Sequence, residues 1–389
     1  MSSLNAQQIP AELEGSPVLE LVDEMLEEPS QEDYGKMVTP EGIKKHLTII
    51  ASDEMEGRET GESGQRKAAD YIAKHFESLG FPKVVEGSYF QKIKFVFQSW
   101  EDLNLAVGDK KYRFLWDYYA FPASNSSLDE ININEVVALG YGIDDEKYSD
   151  YKGVDVTGKT IMIYQGEPLN YDSVSYITGE KNYSDWAMDW KRKLKVAKEK
   201  GVKNVLFIEP NIQAKVSKYR DRLLRGSLTM GDAEYKDTEF PNSIYISSDV
   251  AKAILGKKMQ KKFIKNRKKI RKKGKPRNLT ISTDMKLKLV KNTKTLEGEN
   301  VLGFLEGTDK KDEIVVVTAH YDHLGMRGKD IYNGADDNGS GTSTVLRMSS
   351  VFAKAAKTGS GPRRSILFML VSGEEKGLLG SEYYTNYPI

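Results

Sequence analysis

Near the C-terminal end of the chain two apolar runs, DEIVVVTAH and SILFMLVSGEE, each finish in ionisable residues. The first delivers His320 and the second delivers Glu374 and Glu375. Between them lie a glycine-flanked turn, GADDNGSG, carrying Asp336 and Asp337, and a helical pattern beginning near Ser343 and ending near Ala356. Strand, loop, helix, strand is the signature of a parallel α/β unit, because parallel neighbours need a crossover long enough to return the chain. The run IVVVT has no polar alternation and is expected to be a buried strand. Sites in open parallel sheets lie beyond the carboxyl ends of the strands, so two different strands are expected to converge on one rim.

Composition narrows the chemistry that rim can hold. The 389 residues contain no cysteine, which excludes disulfides and thiolate metal ligands and leaves histidine and carboxylate as donors. Hydrophobic residues make up 39% and charged residues 30%, an ordinary balance for a folded chain, with room for two or three domains. No stretch approaches the ~18 consecutive apolar residues of a membrane span. The N-terminus, MSSLNAQQIPAELEG, lacks the basic and apolar regions of a signal peptide. Net charge is +1, yet residues 257–277 hold 13 Lys or Arg and no acid, so the remainder carries 1 − 13 = −12. With Phe263 as its one aromatic, that run reads as a solvated helix and loop. Contact with a polyanion is a side hypothesis, and no nucleic-acid partner is expected.

Periodicity organises the rest. Residues 1–35 are acidic, and Val18, Leu21, Val22, Met25 and Leu26 suggest one short amphipathic helix. TPEGIKKHLTIIASD opens with a Thr cap and Pro at the first helical position. In SGQRKAADYIAKHFESLGF, Ala69, Ile72, Ala73, Phe76 and Leu79 share one face and Gly80 ends the helix. His46 is expected to pack at a helix edge and His75 to be solvated. LNLAV, NEVVALGYG, KTIMIYQG, KNVLFIEP and FPNSIYIS read as strands, mixed with helices over KRKLKVAKEKG and DVAKAILG. LTISTDMKLKLV and NVLGFLEG then return the chain to strand.

Taken singly, the residues at the rim are ordinary. A His at a strand end is commonly structural, Asp-Asp-Asn before Gly makes a turn or helix cap, and a Glu-Glu pair is commonly solvated. Their conjunction is not ordinary, because unpaired carboxylates beside core strands are costly. Hard oxygen donors with neutral imidazole and no thiolate suit a hydrolytic zinc site.

AHYDHLG, NGADDNGSG and SGEEKGLLGS, in that order and spacing, closely resemble the co-catalytic di-zinc aminopeptidases of metallopeptidase family 28. HLTIIASDEMEGRETGESGQRKAADYIAKHFESLGF looks like that family's N-terminal helical region. ALGYGIDDEKYSDYKGVDVTGKTIMIYQGEP and KVAKEKGVKNVLFIEPN look like the protease-associated domain that many members carry as an insert. The resemblance implies an α/β fold, a zinc-exopeptidase (phosphorylase/hydrolase-like) mixed sheet flanked by helices with an inserted mixed α/β protease-associated domain. Its expected divisions are an acidic segment over 1–35, the first part of the peptidase domain over 36–100, the insert over 101–277 and the peptidase core over 278–389.

The same resemblance implies site roles. His320 binds one Zn2+, Asp337 bridges two, Glu375 binds the second, and Glu374 is the general base on water. Asp322 is a carboxylate orienting His320, while His323 and Asp336 stay outside the ligand set. Two cations ~3.5–4 Å apart would polarise a peptide carbonyl and acidify a shared water, with Gly334, Gly339 and Gly341 permitting the tight turn around the bridge. The family completes its site with an Asp on a later strand and a His further downstream. Neither follows SEYYTNYPI here, so a chain truncated at its C-terminus is expected; replacement of those ligands by His46 or His75 is not. The expected activity is removal of N-terminal residues from peptides. A carboxypeptidase or dipeptidase of the same fold and a non-catalytic binding protein on the same scaffold stay open, as does cytosolic location beside the export common in relatives.

Overall fold

The helices form where the caps predict them. In the computed structural model, which describes residues 29–231 and 240–389, α1 spans Gln31–Lys36, α2 Pro40–Ile50 and α3 Ser63–Leu79. Thr39 Oγ1 accepts the Gly42 amide at 3.1 Å to start α2, and Gly80, at φ +81°, closes α3 in the left-handed conformation a Cβ disfavours. The amphipathic pattern over Val18 to Leu26 lies outside the described residues. His75 is not solvated: its Nε2 lies 3.0 Å from the Leu346 carbonyl and 3.1 Å from Ser349 Oγ. The expectation failed because a neighbouring helix covers the margin of that face. His46 does pack at a helix edge, with Nδ1 2.7 Å from Tyr71 Oη and its ring 4.8 Å from that of His75.

The chain divides into two units, residues 94–296 and residues 1–93 with 297–389. The first of these is wider than the expected 101–277, because the strands at its margins run on. β1 covers Phe90–Val107, and a 27-residue strand, Leu279–Leu305, closes it. Inside it β2 (Leu128–Ala138), β3 (Thr160–Tyr164), β4 (Asn204–Ile208) and β5 (Asn242–Ile246) are successive parallel neighbours. Residues 279–289 of the long strand, β6, add antiparallel to β2. β3 and β4 are buried throughout, as unalternating runs with crossover helices should be. The longer helices of this unit are α4 (Trp190–Glu199), α5 (Ile212–Arg225) and α6 (Ser248–Lys273).

In the other unit β7 (Lys310–His320) runs parallel to β8 (Arg364–Val371), and β8 pairs antiparallel with residues 301–305 of β6. The crossover is α7, Ser340–Lys357. β8 is the core: Ile366, Phe368 and Leu370 meet Ile72, Phe76 and Leu346 on one face, while Leu367, Met369 and Val371 meet Leu302 on the other. The Phe81 and Phe368 rings stack at 5.8 Å. The arrangement is a mixed sheet flanked by helices, the fold class read from the sequence.

β7 corrects one expectation. Ile314 is 55% exposed and Val315 and Val316 are each 44% exposed, so this strand is not buried along its length. It is the edge of the sheet, paired only with β8 among the described residues. An apolar run states what a strand is able to bury, whereas its place in the sheet decides what it does bury. An exposed apolar edge templates pairing with other chains. Charging it through Ile314→Lys and Val316→Lys is expected to slow concentration-dependent light scattering several-fold, with the unfolding midpoint little changed. An unchanged scattering rate would remove the edge as the cause of association.

Candidate metal centre

Register builds the rim. His320, the last residue of β7, pairs with Val371, the last of β8, so Ser372 to Glu375 leave the sheet beside the segment after His320. His320 and His323 are each 9% exposed, Asp322 is fully buried, and the Asp337 side chain is 68% exposed. Two sets of donors result. His320 Nε2 lies 3.1 Å from Asp337 Oδ1 and 3.7 Å from Glu374 Oε2. His323 Nδ1 lies 2.7 Å from Glu375 Oε1, and His323, Asp337 and Glu375 each offer one donor atom within 4.8 Å of the others, close enough to share a metal ion.

Asp337 thus stands between both histidines. His323, which the sequence reading left outside the ligand set, falls inside a metal-capable group. The sequence shows a second imidazole three residues after the first, but its place beside Glu375 depends on a contact distant in the chain, the Arg58 carbonyl that accepts the His323 amide. Asp336 stays out, its carbonyl accepting the Ser340 hydroxyl at 2.9 Å and its residue exposed.

Local backbone explains how Asp337 reaches this place. Gly334 sits at φ +52°, and a Cβ there would fall 2.5 Å from His323 Cδ2 and 2.6 Å from the Asp337 carbonyl. A Cβ on Gly341 would fall 2.2 Å from Asn338 Oδ1, which accepts the Gly341 amide at 3.0 Å. Side chains at either position would push the turn off the histidines.

Electrostatics follow from the crowding of acids. Burial lowers the His320 pKa, but hydrogen bonding and attraction to Asp322, with a further contribution from Glu374, overcome it and push it up to about 9. Carboxylates that hold a proton on this ring would also favour a cation between them. The nearer Asp322 atom to His320 Nδ1 is its carbonyl oxygen at 3.1 Å, with its Oδ1 at 3.7 Å. The carboxylate is itself fixed by Thr60 Oγ1 at 2.8 Å and the Glu374 amide at 3.2 Å, so it links the two ends of the rim. Burial raises the Glu374 carboxyl above the usual range, and Glu375, Asp322 and Asp337 push it further up against the opposing effect of His320.

Besides His323, sequence reasoning missed Arg58. It is fully buried, and its guanidinium donates to four carbonyls: Nε to Tyr321 at 2.6 Å, Nη1 to Ile50 at 2.6 Å and Asn333 at 2.7 Å, and Nη2 to Gly334 at 3.0 Å. Its own carbonyl accepts the His323 amide at 3.1 Å. The segment after His320 and the turn before Asp337 are therefore pinned to one side chain. Nothing local marks this: in EMEGRETGESG an arginine among acids reads as solvated.

Behind the rim, Tyr321 Oη donates to the Glu299 carbonyl at 2.6 Å. Burial pushes the Glu299 carboxyl up to about 7, against lowering by Lys92 and Arg66. A raised carboxyl pKa contributes stability below ~4.5 that is lost as pH rises through ~7, by up to roughly 3 kcal/mol. Glu299→Gln is expected to raise the urea midpoint at pH 8 and leave it unchanged at pH 4. An equal shift at both values would contradict the titration.

Residues 300–388 match the sequence profile described as Peptidase family M28. A segment of the chain thus resembles that family. That segment holds every rim residue named above from His320 to Glu375. Over 90 residues, 23% of this chain and 18% of the relative, it is 37% identical to Aminopeptidase YwaD of Bacillus subtilis (strain 168). Over 109 residues, 28% of this chain and 14% of the relative, it is 32% identical to Aminopeptidase NAALADL1 of Rattus norvegicus. The chain thus spans less than a fifth of the length of these relatives. The fold is similar to that of an aminopeptidase from Aneurinibacillus sp. strain AM-1, with a TM-score of 0.51, 20% identity, and coverage of 90% of this chain and 66% of that one.

Proposed function

We propose that the protein is a zinc-dependent exopeptidase, an aminopeptidase hydrolysing N-terminal residues of peptides, and that the M28 segment forms its two-metal site. The observation that carries this reading is the convergence on Asp337 of two imidazoles and, through them, of both carboxylates of the Glu-Glu pair. The donor set fits zinc: imidazole nitrogen and carboxylate oxygen, with no cysteine in the chain to supply thiolate. His320 and Asp337 would hold one ion, and Asp337 with Glu375 the other, His323 standing beside the second. Zinc in such a site supplies Lewis acidity toward the peptide carbonyl and toward water.

The remaining chemistry belongs to the protein. Glu374 takes a proton from the attacking water and delivers it to the leaving amine, for which a carboxyl raised toward working pH is suited. Asp322, held by Thr60 and the Glu374 amide, keeps His320 and Glu374 in one frame. Residues 101–277, inside the unit of residues 94–296, are read as a protease-associated insert and the protein as exported; no helix among the described residues is long and apolar enough to cross a membrane.

Aminoacyl p-nitroanilides test the reading. The natural protein should release nitroaniline, lose this activity to a chelator, and recover it on zinc addition. Activity that survives metal removal would end the metallopeptidase reading, and cleavage confined to N-blocked peptides with a free carboxyl end would replace aminopeptidase by carboxypeptidase.

A further inference from the structure

The run of 13 basic residues plays no part in the rim, and its placement in α6 is specific. α6 breaks at Gly256 (φ +60°, ψ 162°), and from Lys257 to Lys273 it is continuous. This half contains nine lysines, all exposed. At 3.6 residues per turn they fall on a single arc of about 160°. No Asp or Glu occurs between Asp249 and Asp284, and among the described residues none of the nine joins an ion pair.

The two arginines of the same half occupy the other face. Arg267 lies 4.5 Å over the Tyr164 ring and Arg271 lies 4.8 Å over the Tyr171 ring. Phe263 stacks on Tyr164 at 5.0 Å and Ile270 is buried, so this face anchors the helix to its own unit. The sorting leaves a rod of ammonium groups ~24 Å long, at 1.5 Å per residue, held rigidly outward although nine like charges repel one another.

We propose that this face docks the protein on an anionic lipid surface. The lysine arc is broad and carries no aromatic ring or guanidinium with which to take a base, its one marginal amide, Asn266, being half-buried, whereas ammonium groups on flexible stems suit diffuse headgroup charge. Ile264, 56% exposed at the margin of the arc, offers an apolar group to the headgroup boundary. The rest of the chain carries a net charge of −12, so the arc is the part of the chain that such a surface attracts.

Sedimentation of the natural protein with vesicles tests this. Binding is expected to vesicles of phosphatidylcholine with about a third phosphatidylglycerol, not to phosphatidylcholine alone, and should weaken steeply between low and physiological salt. Each lysine near the surface is worth roughly fivefold in affinity. Replacing Lys261, Lys262, Lys265, Lys268 and Lys269 by Gln should therefore lower binding on the order of a hundredfold or more, while Arg at the same five positions retains it. Circular dichroism of both variants checks that the helix persists. Equal binding to neutral vesicles, undiminished binding by the Gln variant, or tighter binding to duplex DNA at equal phosphate concentration would each overturn the proposal.

Discussion

With Glu374 as the general base of the proposed aminopeptidase, Glu374→Gln is expected to reduce hydrolysis of an aminoacyl p-nitroanilide by the natural protein roughly 10²- to 10⁴-fold, the usual contribution of such a group. The amide has nearly the shape of the carboxyl but cannot accept a proton. KM should change little, because the lost step is proton transfer and not substrate binding. Zinc content should be retained, since Asp337, Glu375 and the histidines are untouched. Zinc stoichiometry by elemental analysis and kcat from the same preparation separate the roles. A variant that loses zinc together with activity would make Glu374 a ligand, and one that keeps full activity would move the base elsewhere on the rim.

The second large effect is expected at Arg58. Arg58→Met fills most of the volume but leaves the carbonyls of Ile50, Tyr321 and Asn333 without their donor, while that of Gly334 keeps the Gly339 amide at 3.0 Å. Each unsatisfied buried acceptor costs about 1–3 kcal/mol, so a total of roughly 3–9 kcal/mol is expected for the three, a large part of the ~5–15 kcal/mol that keeps a domain folded. Burial lowers the Arg58 pKa to about 10, with Asp322 opposing, so the group stays charged at neutral pH. Arg58→Lys should recover only part of the loss, because a single ammonium cannot span carbonyls from three segments. Urea unfolding read by hydrogen exchange of the β8 amides measures the cost in the unit that holds Arg58, since all four tryptophans lie within residues 94–296. A midpoint for Arg58→Met close to that of the parent would show that water or rearrangement satisfies those carbonyls.

The rim was legible in the sequence because its signals are local. A strand that ends in His320 and another that runs into Glu374 place their side chains by chain continuity alone, once a helix between them makes the strands parallel. The caps at Thr39 and Gly80 are local for the same reason: a hydroxyl three residues from an amide, and a residue without a Cβ, act within one turn. What sequence reading lost depended on neighbours distant in the chain. Asp322 was expected to hold His320 by its carboxylate, yet the nearer contact is its carbonyl, a choice made by Thr60 and Glu374 drawing the carboxylate away.

By itself the sequence determined the kind of chemistry available: nitrogen and oxygen donors without thiolate, gathered at the ends of two apolar strands, and a separate run of cations with no acids to neutralise it. Tertiary structure alone decided that β7 lies at an edge, that His323 joins Asp337 and Glu375, that Arg58 ties the loops of the rim together, and that lysines and arginines of α6 face opposite ways. The physical reason is common to all four. Residue type and spacing fix which groups a segment presents, but burial, pairing and satisfied hydrogen bonds are properties of what packs against it, and those partners lie up to hundreds of residues away.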